Sequence, residues 1–248
     1  VFASRQAPEG TGILHQRVDQ IGDNKLHFRV GHMDDAERLI KTYHYSRRMA
    51  GNVQFVCTWH ESGGLFGDRG EAVAACTFSI PGTRWAYPVL ELSRLVRAPH
   101  VTAPLTSFLS LACRMLKKNN QSLVVSFADA TQDHHGGIYQ AASWAFSNYR
   151  EPRQDGLLVD GVFIPGRSCN SRWGTSSPTK LGERLGAERV VPHMDAGKYL
   201  YWKWLNRAGK AQAQAMGLLN LPYPKPSVPD LFIASPPTPQ PEQIALAI

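Results

Sequence analysis

The densest run of chemically capable side chains is Ser126–Trp144, SFADATQDHHGGIYQAASW. An apolar stretch ends in Asp129, a polar stretch carries Asp133, His134 and His135, and a short helical segment presents Tyr139. A carboxylate can orient or deprotonate an amine, and a phenol can protonate a departing group. Imidazoles with a carboxylate also form the N/O donor set that suits iron, so His44, Asp129, His134 and His135 are candidate Fe(II) ligands. A solvated loop explains the adjacent histidines as well.

A second cluster is Tyr43-His44-Tyr45-Ser46-Arg47-Arg48. It could position an acceptor amine and hold phosphates; a helix end with dipole-complementing basic residues gives the same pattern. The third is Glu91-Leu92-Ser93-Arg94-Leu95. On a regular strand Glu91, Ser93 and Leu95 share one face, and Leu92 and Arg94 the other. Arg94 among apolar neighbours then calls for an anionic partner. Ser107, in or just before the first turn of the next helix, suits a phosphate or simply caps. Further on, Arg150, Arg153, Arg167, Arg172 and Lys180 lie in a Gly/Ser-rich stretch able to wrap DNA phosphates. Trp202 and Trp204 read as core.

These clusters need a scaffold, and the pattern of apolar residues supplies one. KLHFRV at 25–30 alternates as a half-buried strand, and Asp34 with Glu37 forms a D-x-x-E cap for a helix carrying Leu39 and Ile40. Strands are expected over 52–59, 72–80 and 89–97, then a helix over 103–118 with Leu105, Phe108, Leu109, Ala112, Met115 and Leu116 on one face. A doubly buried strand at 123–128, a helix at 137–144 and strands at 145–149 and 199–205 complete the series. This alternation means an α/β chain, a mixed sheet with helices on its faces. In such sheets sites lie outside the carboxyl ends of the strands. The organisation expected is a lead-in over 1–24, a single catalytic domain over 25–210 with a basic, loop-rich insertion at 151–185, and a Pro-rich arm over 211–248.

The chain of 248 residues is 43% hydrophobic and 19% charged, a globular composition. No run of 18 apolar residues exists, which excludes a spanning helix and argues for no membrane partner. The net charge of +7 favours polyanions. Four separated cysteines without a C-x-x-C pair fit a reducing cytoplasm.

The element order is similar to that of the GNAT acyltransferases, and GGIYQAASWAF resembles the helix whose Tyr commonly protonates the departing coenzyme A thiolate. YHYSRR, LSRLV, TSFLSLACRMLKK and SFADATQDHHGGIYQAASW together resemble the Mom family of phage DNA-modification proteins, from about Tyr43 to Tyr149. The resemblance implies conversion of adenine to N6-carbamoylmethyladenine in double-stranded DNA, which shields it from restriction endonucleases in the host cytoplasm. It implies catalytic roles for Asp129, Tyr139, His44, Tyr45 and Ser46, and acetyl-CoA or a related acyl-CoA held by Arg94, Ser107 and Ser93. DNA contacts are expected from Arg47, Arg48, Arg153, Arg167 and Arg172. One departure is plain: the glycines of the usual pyrophosphate loop are missing from RAPHVTAPLTS. Two other functions compete. One is a GNAT N-acyltransferase acting on a protein or small-molecule amine; the other is a non-catalytic DNA-binding anti-restriction protein.

Overall fold

Strand-forming runs and amphipathic helices follow one another in the expected order. The computed structural model describes residues 18–20, 25–62, 69–82 and 85–225. In chain order these are β1 (Val18–Gln20), β2 (Lys25–Val30), α1 (Met33–Tyr43), β3 (Val53–Ser62), β4 (Arg69–Ser79), β5 (Leu90–Arg97), α2 (Leu105–Lys118) and β6 (Leu123–Asp129). There follow α3 (Gly137–Ala141), β7 (Ala145–Arg150), β8 (Gln154–Val159), β9 (Val162–Pro165), α4 (Gly166–Trp173), α5 (Pro178–Leu185), β10 (Val190–Met194), β11 (Lys198–Trp204) and α6 (Arg207–Ala215). From β2 to β7 the order is strand, helix, three strands, helix, strand, helix, strand, as the acyltransferase resemblance requires.

Eight strands form one mixed sheet in the order β1-β2-β3-β4-β5-β6-β11-β7. Helix α1 buries Ala36, Leu39 and Ile40 against Val56, Ala75 and Val96 on one face. Helix α2 buries Phe108, Leu109, Ala112 and Leu116 against Cys76, Phe78, Leu92 and Val124 on the other. Each fully buried Leu or Phe contributes about 1.5–3 kcal/mol. Within the described residues no helix is long and apolar enough to cross a membrane.

Two irregularities shape the functional region. Every neighbouring pair in the large sheet is antiparallel except β5 and β6, which are parallel and paired only at Leu90↔Val124 and Glu91↔Val125. Past Glu91 the two strands part. The second is a bulge in β5: Thr77 pairs with Arg94 and the next β4 residue, Phe78, with Leu92, leaving Ser93 as the extra residue. The bulge overturns the regular alternation expected for this strand. Arg94 shares a face with Glu91, and Leu92 with Leu95, so Arg94 has its carboxylate neighbour on its own face.

Other expectations change too. Asp34 does not cap α1; the cap position is His32 without a side-chain bond, and Asp34 and Asp35 sit in the first turn, where their charge suits the dipole. The loop-rich insertion expected at 151–185 is instead β8, β9, α4 and α5, joined by β10 into a three-stranded sheet over a core of Leu157, Val159, Cys169, Leu181 and Val190. Its hairpin turns at Asp160-Gly161, both at positive φ (52° and 77°), the Asp-Gly signature of a tight hairpin. Trp202 is core as expected, but Trp204 is exposed, with the Lys210 ammonium 5.8 Å from its ring centre. The boundary at 211 falls inside α6, and residues to 225 lie along β7: Leu221 bridges to Phe146, and Tyr223 donates to the Trp144 carbonyl at 2.9 Å. Most of the lead-in and the remainder of the Pro-rich arm lie outside the described residues.

Asp195, 3% exposed, ties the two sheets together. It pairs with Arg150 at the end of β7 and accepts the backbone N–H groups of Arg153 (3.2 Å) and Gly197 (3.0 Å). Burial pushes its pKa up, but the Arg150 hydrogen bond and the two amides outweigh that and hold it below the usual value. A depressed carboxylate stabilises the fold above its unfolded pKa of about 3.9, and that contribution is lost as the pH falls through the folded value. Asp195→Asn is therefore expected to lower the melting temperature at pH 7 and to flatten its fall below about pH 4. Parallel acid dependence in wild type and variant contradicts this.

Candidate active site

Where β5 and β6 part, a cleft of about 590 Å³ opens, lined by Leu92–Arg97 from β5, Phe127–Asp129 from β6, and segments 43–45, 132–135 and 136–139. Register shows that its walls come from both faces of the sheet. Arg94 lies with Thr77 on the α1 face, and Asp129 with Lys198 on the same side. Leu95 lies with Cys76 on the α2 face, where Leu105 and Ile138 also border the cleft. The cleft thus passes through the sheet.

On the α1 side, His44 ends α1 and its ring stacks on Tyr45 at 4.3 Å. Ser46 donates its backbone N–H to His44 Nδ1 at 3.1 Å, and its hydroxyl lies 2.9 Å from the same atom. A backbone N–H can only donate, so Nδ1 is the unprotonated nitrogen and Nε2 carries the proton. Burial, then the Arg94 cation, then His134 pull the His44 pKa down to about 4. His44 is therefore a neutral hydrogen-bond donor at pH 7. Tyr45, half exposed, has its pKa raised by burial and then by the nearby Asp129 carboxylate. Asp129 accepts the Thr131 N–H at 3.1 Å, and Lys198 Nζ lies 3.6 Å from its second oxygen. Arg94 is pinned by donating Nε to the Arg48 carbonyl (2.8 Å) and an Nη to the Ser93 carbonyl (2.6 Å).

On the α2 side, Tyr139 is buried against Trp144 and Tyr201, with ring centres 5.3 and 5.2 Å away. Burial raises its phenol to about 12, so it holds its proton at neutral pH. The loop before it is fixed from below: Tyr201 donates to the His135 carbonyl at 2.6 Å and accepts from Gln140 Nε2 at 3.0 Å. Gly136 has φ +90°, and a Cβ there would lie 2.1 Å from the Tyr201 ring, so only glycine fits.

The expected residues divide into three groups. His44, Tyr45, Ser93, Arg94, Asp129, His134, His135 and Tyr139 all border the cleft. Ser46 does not, but sets the tautomer of His44; Ser107, in the first turn of α2, is half-buried outside the lining. Arg47 and Arg48 are exposed beside the α1 mouth. Arg153, Arg167 and Arg172 are exposed and lie away from the cleft, Arg167 against Gly82 and Arg172 over Trp173. For the iron expectation, no group of three or more His, Cys, Asp or Glu converges as ligands among the described residues. At His44, Nδ1 is taken by Ser46 and Nε2 carries the proton. Sequence reasoning missed Ser126, Tyr201 and Gln140; the lone hydroxyl inside LVVSFA was the available signal for the first.

The chain matches the sequence profile of the Mom protein family over residues 25–225. It belongs to the Mom family. No curated protein matches it in sequence. Among solved structures, a probable acetyltransferase of the GNAT family from Chromobacterium violaceum ATCC 12472 is 8% identical with a TM-score of 0.43, over 82% of this chain and 98% of that one. An N-acetyltransferase from Staphylococcus aureus Mu50 is 7% identical with a TM-score of 0.37, over 73% and 97%.

In this Mom-family protein the charge state of His44 is open to direct measurement. NMR titration of the His44 ring is expected to give a midpoint about 4. Arg94→Ala removes a cation and moves that midpoint upward. An unmoved midpoint would contradict the charge coupling across the cleft.

Proposed function

We propose that this protein transfers a small carbon group to the N6 amine of adenine in double-stranded DNA, giving N6-carbamoylmethyladenine and protection from restriction endonucleases. The observation that carries this reading is the pairing of Asp129, an acceptor, with His44, a neutral donor, around the Tyr45 ring at one mouth. The adenine edge has the matching pattern, an N6–H donor beside a ring-nitrogen acceptor. Tyr45 offers an aromatic surface for a base taken out of the duplex stack. Arg47 and Arg48 beside the mouth, with Arg153 just before β8 and Arg167 and Arg172 on α4, supply cations for the phosphate backbone.

Adenine N6 is a poor nucleophile because its lone pair is delocalised into the ring. Asp129 accepts an N6–H bond and takes the proton as the new N6–carbon bond forms. Arg94, pinned by two carbonyls, offers its remaining N–H groups to negative charge on the donor. Tyr139, protonated at neutral pH, supplies the proton to the departing group from the α2 side.

The α2 mouth fits an acyl-CoA. Helix α2 begins at Pro104 with no side-chain cap and no acidic residue in its first turn, so its free N–H groups and dipole favour a pyrophosphate despite the absence of glycines. β5 past the split has backbone groups without strand partners, which suit the amides of a pantetheine arm. When bound, an acyl-CoA would supply an activated carbonyl carbon and a thiolate leaving group. This transfer forms an N6–acyl bond, and the N–CH2 bond and amide nitrogen of the carbamoylmethyl product belong to a separate step. Leu105 and Ile138 offer the acyl-CoA an apolar approach, and Ser107 a hydroxyl near the helix start.

The test is mass spectrometry of nucleosides from plasmid DNA of cells expressing this chain. Wild type is expected to yield an adenine nucleoside heavier by a carbamoylmethyl group, reduced about a hundredfold or more in Asp129→Asn and Tyr139→Phe. Unmodified adenine with soluble protein favours an N-acyltransferase with another acceptor. Restriction protection that survives both substitutions favours a non-catalytic DNA-binding protein.

A further inference from the structure

Ser126 sits on β6 one position past the last residue paired with β5, and it is 1% exposed. Its hydroxyl oxygen lies 2.9 Å from the Leu92 carbonyl of β5 and 2.8 Å from the Tyr139 hydroxyl. Leu92 is the first β5 residue beyond the split, and the Ser126 side chain takes up its carbonyl where the parallel pairing ends.

A serine hydroxyl has one proton and faces two partners here. Both partners accept that proton: the Ser126 hydroxyl is placed to donate to the Leu92 carbonyl and to the Tyr139 oxygen. The Tyr139 proton is therefore not taken up by Ser126 and is left to face the cleft. A turn of the Ser126 hydroxyl alone moves its proton from Leu92 to the Tyr139 oxygen, and no heavy atom needs to move.

We propose that Ser126 is a positioning residue that donates to the Tyr139 oxygen and stabilises the Tyr139 phenolate once its own proton has left. The inference rests on the reading of Tyr139 as the acid. In the step itself, the Tyr139 O–H bond breaks, its proton goes to the departing group, and the negative charge stays on the Tyr139 oxygen, which accepts the Ser126 proton as a hydrogen bond. Water returns a proton to Tyr139 afterwards, and Ser126 turns back to Leu92. The Ser126 proton never leaves its own oxygen.

The arrangement also explains why a hydroxyl occupies a position otherwise suited to an aliphatic side chain in LVVSFA. Alanine there would leave the Leu92 carbonyl without its side-chain partner and the phenolate without a donor. Threonine keeps the hydroxyl, and cysteine keeps the size with a much weaker donor.

The experiment introduces 3-fluorotyrosine at position 139 in the full chain and follows its ¹⁹F resonance with pH. Ring fluorination acidifies the phenol and brings its midpoint into a usable range. A hydrogen bond to a charged oxygen is worth about 1.5–3 kcal/mol, so the midpoint is expected to rise by about one pH unit or more in Ser126→Ala and Ser126→Cys. It should return towards wild type in Ser126→Thr. Should the alanine variant fail to fold, the cysteine and threonine variants carry the comparison. Equal midpoints in wild type and the folded variants overturn the proposal. The readout needs neither DNA nor donor, so loss of the adenine product in wild-type cells would count against the function while leaving this result to stand or fall separately.

Discussion

Past Glu91 and Val125, β5 and β6 stop exchanging hydrogen bonds, and a sheet that is continuous elsewhere divides. Backbone groups left unpaired inside a protein are costly unless something satisfies them. Here the cost is managed by local devices: Ser126 takes the Leu92 carbonyl, the Ser93 bulge turns Arg94 towards the α1 face, and Arg94 takes the Ser93 carbonyl. The remaining edges form the cleft walls. Because the division crosses the sheet, residues on opposite faces border one space. In the proposed reaction, Asp129 and Tyr139 handle protons at opposite ends of one reacting pair.

The electrostatics follow from that geometry. The Arg94 cation, half-buried and tied to two carbonyls, lowers the pKa of His44 and helps keep it neutral. Glu91, on the same face of β5 because of the bulge, is raised by burial and partly offset by Arg94, Lys198 and Arg167. The α1 mouth thus combines a fixed cation, a carboxylate, a neutral imidazole donor and an aromatic ring. The Tyr139 side is apolar and deep, which keeps a phenol protonated.

Much of this was legible in the sequence. LVVSFA announced a strand buried on both faces, and GGIYQ the short helix that ends the site loop. Apolar spacing in TSFLSLACRMLKK placed α2 correctly to within two residues at its start. What escaped was what periodicity cannot carry. A bulge shifts facing by one residue without changing composition, so Arg94 was assigned the wrong neighbours. The small sheet of β8, β9 and β10 has strands of four to six residues, too short for a pattern to rise above the surrounding Gly, Ser and Arg; its Asp160-Gly161 turn was the overlooked sign. The histidines matched a metal-ligand pattern, but residue type says nothing about tautomer, and it is the Ser46 amide that leaves the His44 proton on Nε2. Ser126 was invisible as a functional residue because its partners, a carbonyl and a phenol, lie 34 and 13 residues away.

The central claim is that one cleft joins two ligands approaching from opposite faces of the sheet. Amide NMR of the labelled protein, titrated with coenzyme A and with a DNA hairpin carrying an unpaired adenine, tests it most directly. The account predicts that coenzyme A perturbs the start of α2, from Leu105 to Ser107, together with Ile138. The hairpin should perturb Tyr43 to Arg48 and Gln132 to His135, with both sets of shifts persisting when the two are added together. Displacement of one ligand by the other from a shared set of residues would contradict it.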